Sequence, residues 1–260
     1  MTILFVFAIC LMSSAIGGVC GIGGGVVIKP VLDAAGIMSV STASFLSGLT
    51  VLAMSVISVY KNRGANELDT RRSVPLGIGA AVGGVVGKQL FELIKRAAGA
   101  DRLVGAAQAV LLGVMVLGTL LYVRNKARIA TRDVQSPAVG AAIGLALGVC
   151  SSFLGIGGGP MNLAVLYYFF SMDTKKAAVN SLLIILLSQT ASLVVSLLTG
   201  SVPDFQPMTL VAMVAAGAIG GLVSAKLHRR LSIRQTDRLF CALLVVILLI
   251  CCYNAARMLA

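Results

Sequence analysis

Charge is scarce in this 260-residue chain. Asp, Glu, Lys and Arg make up 12% of it, where a water-soluble domain carries about one quarter. With 58% hydrophobic residues and a mean hydropathy of +0.99, that shortage excludes a soluble globular domain and implies an integral membrane protein. Tryptophan is absent and aromatics stand at 5%, which removes the usual Trp anchors at the membrane interface. Tyr167 and Tyr168, near a helix end, read as the anchors that remain. Acidic residues are few, nine against 21 basic ones, and Asp33 alone could fall within a span, so no carboxylate relay is expected. Histidine occurs once, at His228 in a basic loop, where it is expected to be solvated. No nucleotide-binding loop, metal-ligand cluster or catalytic-triad spacing is present, and no enzyme activity, cofactor or metal is expected. The first apolar run follows Met-Thr without a basic flank, so a cleaved signal peptide is not expected.

The net charge of +12 could suggest nucleic acid. The basic residues sit instead in short loops between apolar runs, as retention of Lys and Arg on the cytoplasmic side requires, so nucleic acid is not an expected partner. The six cysteines, Cys10, Cys20, Cys150, Cys241, Cys251 and Cys252, all lie in apolar stretches. They form no disulfide or zinc pattern and read as small buried residues.

What the chain does have is one five-residue stretch twice. Gly21-Ile22-Gly23-Gly24-Gly25 returns as Gly155-Ile156-Gly157-Gly158-Gly159. Each copy lies in an apolar run too long for one crossing, roughly 3–36 and 137–171. At 1.5 Å per residue each would be a helix of about 50 Å, against a hydrocarbon layer of about 30 Å. Adjacent glycines cost a helix about 1 kcal/mol each, so both runs are expected to break there. Backbone freed inside a bilayer is tolerated only where it is buried in protein or lines a cavity.

The remaining runs, roughly 40–60, 74–94, 103–123, 175–199, 207–226 and 238–256, each suit one span. If every run crossed once, the Lys and Arg groups would divide twelve to nine. If runs one and five turn back at their glycines, the groups at 61–72, 124–132, 175–176 and 226–238 fall on one side. Those at 88–102 and Arg257 fall on the other, and the division becomes fifteen to five with Lys29 inside the hairpin. The positive-inside rule favours the second arrangement.

The expected fold is therefore an all-α integral membrane protein of two inverted repeats. Each repeat is a Gly-broken helical hairpin followed by three transmembrane helices. Residues 1–123 and 137–260 form the repeats, and 124–136 is a basic cytoplasmic linker. Both termini are expected on the extracytoplasmic side, and the oligomeric state stays open. Matching fragments recur in the same order: Gly18-Val19-Cys20 with Gly148-Val149-Cys150, Ala43 and Ser47 with Ala177 and Ser181, and Asp101-Arg102-Leu103 with Asp237-Arg238-Leu239. Gly79, Gly83 and Gly87 match Gly217, Gly221 and Ala225, at a spacing that suits close helix packing.

A half-helix starting at a break points unpaired N–H groups and its positive dipole end into the site, a geometry that suits an anion. The expected binding residues are Gly21, Gly23, Gly24 and Gly25 with Gly155, Gly157, Gly158 and Gly159. Lys29 stands about one turn beyond the first break, either as a charge for an anion or paired with Asp33 at i+4. Asn162 holds the neighbouring place in the second copy. Ser47, Asn180, Ser181 and Gln189 are the polar side chains expected to add hydrogen bonds.

The doubled GIGGG, Pro30, and Ala43 with Ser47 repeated 134 residues on make the chain resemble the TauE/SafE family of sulfite exporters and anion permeases. The resemblance implies a bacterial-type inner-membrane transporter of sulfite, organosulfonates or related small oxoanions. Two rival readings remain at this point: a membrane thiol-redox carrier using Cys20 and Cys150, and an anion channel of the same architecture.

Overall fold

The computed structural model describes residues 2–63, 67–98, 101–154 and 159–259, with 91–92, 94–98, 101–105, 127 and 258–259 by backbone alone. The described residues form ten α-helices and no strands: α1 Thr2–Cys20, α2 Gly25–Ala35, α3 Val40–Asn62, α4 Thr70–Ala98, α5 Asp101–Asn125, α6 Pro137–Leu154, α7 Gly159–Phe170, α8 Thr174–Leu198, α9 Pro207–Arg230 and α10 Ile233–Leu259. Seven of them, α1, α3, α5, α6, α8, α9 and α10, contain a stretch long and apolar enough to cross a membrane.

Local chemistry sets the boundaries. Ser39 caps α3 by accepting from the Thr42 N–H at 3.1 Å, and Asp173 caps α8 by accepting from the Lys175 and Lys176 N–H groups. Gly36 ends α2 in the left-handed region at φ +64°. The long runs break as their glycines require, but into unequal limbs rather than two short helices. α1 has 19 residues and α6 has 18, while α2 has 11 and α7 has 12. The first break comes only after nineteen helical residues, so each first limb is long enough to span and each second limb is half-length.

The second limb turns back along the first. Val6 and Cys10 near the start of α1 share one apolar cluster with Ile28 and Leu32 of α2. At the other hairpin, the carbonyls of Tyr168 and Phe169 at the end of α7 accept from the Arg132 and Val134 N–H groups, just ahead of α6. Packing is reciprocal between the halves. α1 lies on α9 as α6 lies on α4, α3 on α9 as α8 on α4, and α2 on α10 as α7 on α5, with α3·α8 and α5·α10 closing the set.

The α4–α6 seam is the closest of these. Cβ atoms built on Gly79 and Gly83 would lie 2.0 Å from the carbonyl oxygens of Ala141 and Leu145, and one on Gly144 would lie 2.0 Å from that of Leu76. Gly217 and Gly221 approach the Thr50 and Met54 carbonyls of α3 in the same way. Small residues here let the backbones touch.

Direct contacts bring the basic loops together on one face. Arg229 donates to the Lys61 carbonyl, Arg72 pairs with Asp133 at 2.9 Å, and Lys126 pairs with Asp237 at 2.7 Å. Thr174, beside Lys175 and Lys176, donates to the same Asp237 carboxylate at 2.6 Å. At the opposite end Lys88 reaches Ser196 and Ser201, and Arg257 donates to the Ala34 carbonyl.

Two expectations are corrected here. His228 is not a solvated loop residue. It sits in the last turn of α9, 3% exposed, with Nε2 2.9 Å from Glu67 Oε2 and Nδ1 3.3 Å from the Val19 carbonyl. Tyr167 is no interface anchor, since it is buried with the Lys126 ammonium 5.1 Å above its ring.

Candidate functional site at the paired helix breaks

The first break is a tight, fully buried turn. Gly21 and Gly23 adopt φ of +73° and +77°, the region open to glycine and costly to other residues. The Gly21 and Ile22 N–H groups fold back onto the carbonyls of Gly18 and Gly17. Beyond the turn, the Gly24 carbonyl accepts from Val27 and Ile28, which starts α2. The N–H groups of Gly24, Gly25 and Val26 have no acceptor among the described residues. These are the orphan donors expected of a helix N-terminus, and no side chain caps them.

Two other elements close on this turn. From α8, Ser181 donates to the Gly21 carbonyl at 2.6 Å, and Ala178 lies so near that a Cβ on Gly21 would sit 2.3 Å from its Cα. From α7, Gly159 abuts the turn: its Cβ would lie 2.3 Å from Val26 Cγ2 and 3.1 Å from the Ile22 carbonyl. The starts of α2 and α7 thus meet. Gly155, Gly157 and Gly158 lie outside the described residues.

Beside Gly24 stands a residue the sequence reading did not single out. Ser14 of α1 is fully buried, and its Oγ has no hydrogen-bond partner among the described residues. A Cβ on Gly24 would lie 3.0 Å from that oxygen. One of two adjacent serines, Ser13 and Ser14, in an apolar run is the only sequence signal it gives.

The other expected residues divide by what they touch. Ser181 is at the break, but its hydroxyl is engaged with Gly21. Asn162, one turn into α7, is buried and makes no side-chain hydrogen bond among the described residues. Ser47 bonds back to the Ser44 carbonyl at 3.0 Å, and Gln189 is half-buried against Gly48. Asn180 departs from its expected role. Its oxygen accepts from the Asp69 N–H and Ser73 Oγ, and its amide donates to the carbonyls of Glu67 and Lys176. With all four hydrogen-bonding positions used, it clamps the start of α4 and offers nothing to a ligand.

Lys29 is buried and pairs with Asp33 at 3.0 Å, both side chains 7% exposed. The cysteines are all free, with Cys20 buried and Cys150 half-buried.

The Ser181 bond gives a first prediction. Ser181→Ala leaves the buried Gly21 carbonyl without its donor, which costs about 1–3 kcal/mol. Thermal unfolding in detergent should show that loss, while Ser47→Ala, which removes only a bond within its own helix, should stay close to wild type.

Comparison with known proteins places the chain in a family. The family described as Sulfite exporter TauE/SafE matches residues 6–250. The chain belongs to the TauE/SafE family. Among relatives, it is 24% identical to the probable membrane transporter protein YunE of Bacillus subtilis, over 97% of each chain. It is 27% identical to the probable membrane transporter protein MamO of Magnetospirillum gryphiswaldense, over 69% of this chain and 29% of MamO. For MamO of Paramagnetospirillum magneticum the identity is 31%, over 42% of this chain and 18% of that protein. The chain therefore spans less than a third of either MamO protein. No solved structure matches it. TauE/SafE membership and seven apolar helices make it a multi-pass membrane protein.

Proposed function

We propose that this TauE/SafE protein is a secondary transporter of small sulfur-containing anions, such as sulfite or organosulfonates, working by alternating access at its two broken helices. One observation carries the reading: the N-terminal turns of α2 and α7 abut through Gly159, Ile22 and Val26. Three uncapped N–H groups of α2 and the unpartnered Ser14 hydroxyl stand at that meeting point. Several donors and at least one positive helix end then converge there beside the apolar side chains of Ile22 and Val26, an arrangement that favours a small anion.

The reciprocal packing supports two repeats, residues 1–123 and 137–260, inverted across an inner membrane and joined by the basic linker 124–136. With the basic face cytoplasmic, both termini are extracytoplasmic. Residues 21–26 are all buried, which on this reading is an occluded conformation, opened by rocking one repeat against the other. The second break, Gly155–Gly159 with Asn162, completes the site, and Lys29 supplies a nearby charge. A carrier of this kind needs no cofactor and uses the bilayer and a small anion as its partners. The thiol-redox alternative has less support, because it needs accessible thiols and Cys20 is buried.

The test is a thermal-shift and binding screen of the purified protein against sulfite, sulfate, thiosulfate, sulfoacetate and taurine. A concentration-dependent shift with at least one sulfur oxoanion is expected. No shift with any of them would remove the substrate class.

A further inference from the structure

Between α2, α5, α6 and α10 lies a cavity of water-molecule size, lined by Lys29, Asp33, Gln108, Leu154 and Asn254 among others. Its polar groups are incompletely matched. Asp33 Oδ2 accepts from Lys29, but Oδ1 is buried with no partner among the described residues. Gln108 donates its amide to the Phe153 carbonyl at 2.6 Å, which leaves Oε1 buried and unpartnered. Asn254 donates to the Pro30 carbonyl at 3.1 Å and holds α2 against α10. Residues carrying two orphan acceptors and an ion pair thus line one small pocket inside a membrane protein. Ionisable side chains in such a place are costly and are functional by default.

The charge balance limits what this pair can do. Lys29 and Asp33 together are neutral. Removing either charge alone would leave a buried ion uncompensated, which is strongly unfavourable. An anion can therefore reach Lys29 only if Asp33 is neutralised at the same time. The vacant acceptor for a proton is Asp33 Oδ1, on a residue that lines the cavity together with Gln108. Once protonated, it becomes a donor and can satisfy the orphan Gln108 Oε1 directly or through a water. Lys29, no longer held at i+4, can swing toward the start of its own helix, the direction in which helical side chains lean. The uncapped N–H groups of Gly24, Gly25 and Val26 lie one turn that way.

We propose that Asp33 is the proton-binding site of this protein and that one proton on Asp33 accompanies one anion on Lys29, so that the pair is neutral both empty and loaded. This rests on the anion reading of the helix breaks and adds its coupling ion. It departs from the expectation that no carboxylate relay is present, and does so at Asp33, the one carboxylate that could fall within a span. Few other titratable groups face the pair. α10 brings Cys251 to the cavity and Arg257 to the Ala34 carbonyl. α1 brings Cys10, buried in the cluster with Ile28 and Leu32. α3 contributes only Val40 and α6 only Leu154, both apolar, and α5 contributes Gln108. The side chains of Asp101 and Arg102, at the start of α5, lie outside the described residues.

The experiment uses methanesulfonate, which stays singly charged throughout, so any pH dependence belongs to the protein. Binding to the full chain is titrated calorimetrically between pH 5.5 and 8.5. Proton uptake on binding is read in weak buffer with an indicator dye. Wild type should lose affinity as pH rises, approaching tenfold per pH unit, and should take up close to one proton per anion at the alkaline end. Asp33→Asn should bind with a flat pH profile and no proton uptake. Lys29→Met in the Asp33→Asn background should lower affinity at every pH.

A wild-type protein that binds without proton uptake overturns the coupling and leaves the anion site standing. So does an Asp33→Asn protein with the wild-type pH profile, since another group would then carry the proton. Should Asp33→Asn fail to fold, the proton count on wild type decides alone. A wild type that binds no methanesulfonate at any pH overturns the coupling through the anion reading it rests on, and the sulfur-anion screen separates that case.

Discussion

Gly21→Ala should abolish a functional break while leaving most of the helical content in place. Two penalties fall on one methyl group. The left-handed backbone at φ +73° costs a non-glycine residue about 1–2 kcal/mol. The new Cβ would also lie 2.3 Å from Ala178 Cα and 2.6 Å from its carbonyl oxygen. Those are backbone atoms of α8, so relief requires the helix itself to move, with an overpacking cost of about 1–3 kcal/mol. A move of α8 also stretches the Ser181 bond to the Gly21 carbonyl. We expect a loss of at least about 3 kcal/mol in thermal unfolding, with circular dichroism at low temperature still strongly helical. Gly118→Ala is the control, because nothing lies within 4 Å of a Cβ there. It should unfold at or slightly above the wild-type temperature.

Gly83→Leu should be the most damaging substitution away from the breaks. Its Cβ would lie 2.0 Å from the Leu145 carbonyl oxygen and 2.9 Å from Leu145 Cα. The neighbouring contacts are of the same kind, at Gly79 with Ala141, Gly87 with Val149 and Gly148 with Ala80. α4 and α6 cannot separate at one point without losing the others, so the penalty spreads along the seam. Membrane helices gain their association chiefly from such packing. A loss of more than about 3 kcal/mol is expected, seen as aggregation in detergent on size-exclusion chromatography. A monodisperse Gly83→Leu protein with wild-type stability would show that the seam is looser than the backbone distances imply.

The first hairpin with its glycine tip and the division of the second long run were legible in the sequence because they depend on local quantities. Run length against bilayer thickness, glycine in a helix, and the sidedness of Lys and Arg each act on a short stretch. The same locality let Gly79, Gly83 and Gly87 read as packing residues and Lys29 as a partner for Asp33. The unequal limbs were less legible, since the place where a long run breaks depends on what packs against it. Pairings distant in the chain were not legible at all. His228 sits beside Glu67, 161 residues away, and nothing in either neighbourhood marks the pair. Asn180 looked like a lining residue because an amide inside a span is costly, yet the cost is met by Glu67, Asp69 and Ser73. Ser14 is the converse case, an ordinary serine made notable only by the absence of any partner. Gln108 gave the same weak signal within its apolar run.

The central claim is that the paired breaks bind a small anion for transport, and Ser14 allows it to be tested without disturbing the fold. Removing an unpartnered buried hydroxyl should be neutral or slightly stabilising, whereas removing a donor to a bound anion should weaken binding. The decisive measurement is the initial rate of labelled methanesulfonate counterflow in proteoliposomes, for wild type and Ser14→Ala, across substrate concentration. We predict saturable flux by wild type, and a KM raised about tenfold in Ser14→Ala, equivalent to one lost hydrogen bond to a charged ligand, at unchanged thermal stability. Wild-type flux no greater than that of empty liposomes, or a Ser14→Ala variant with unaltered KM, would contradict it.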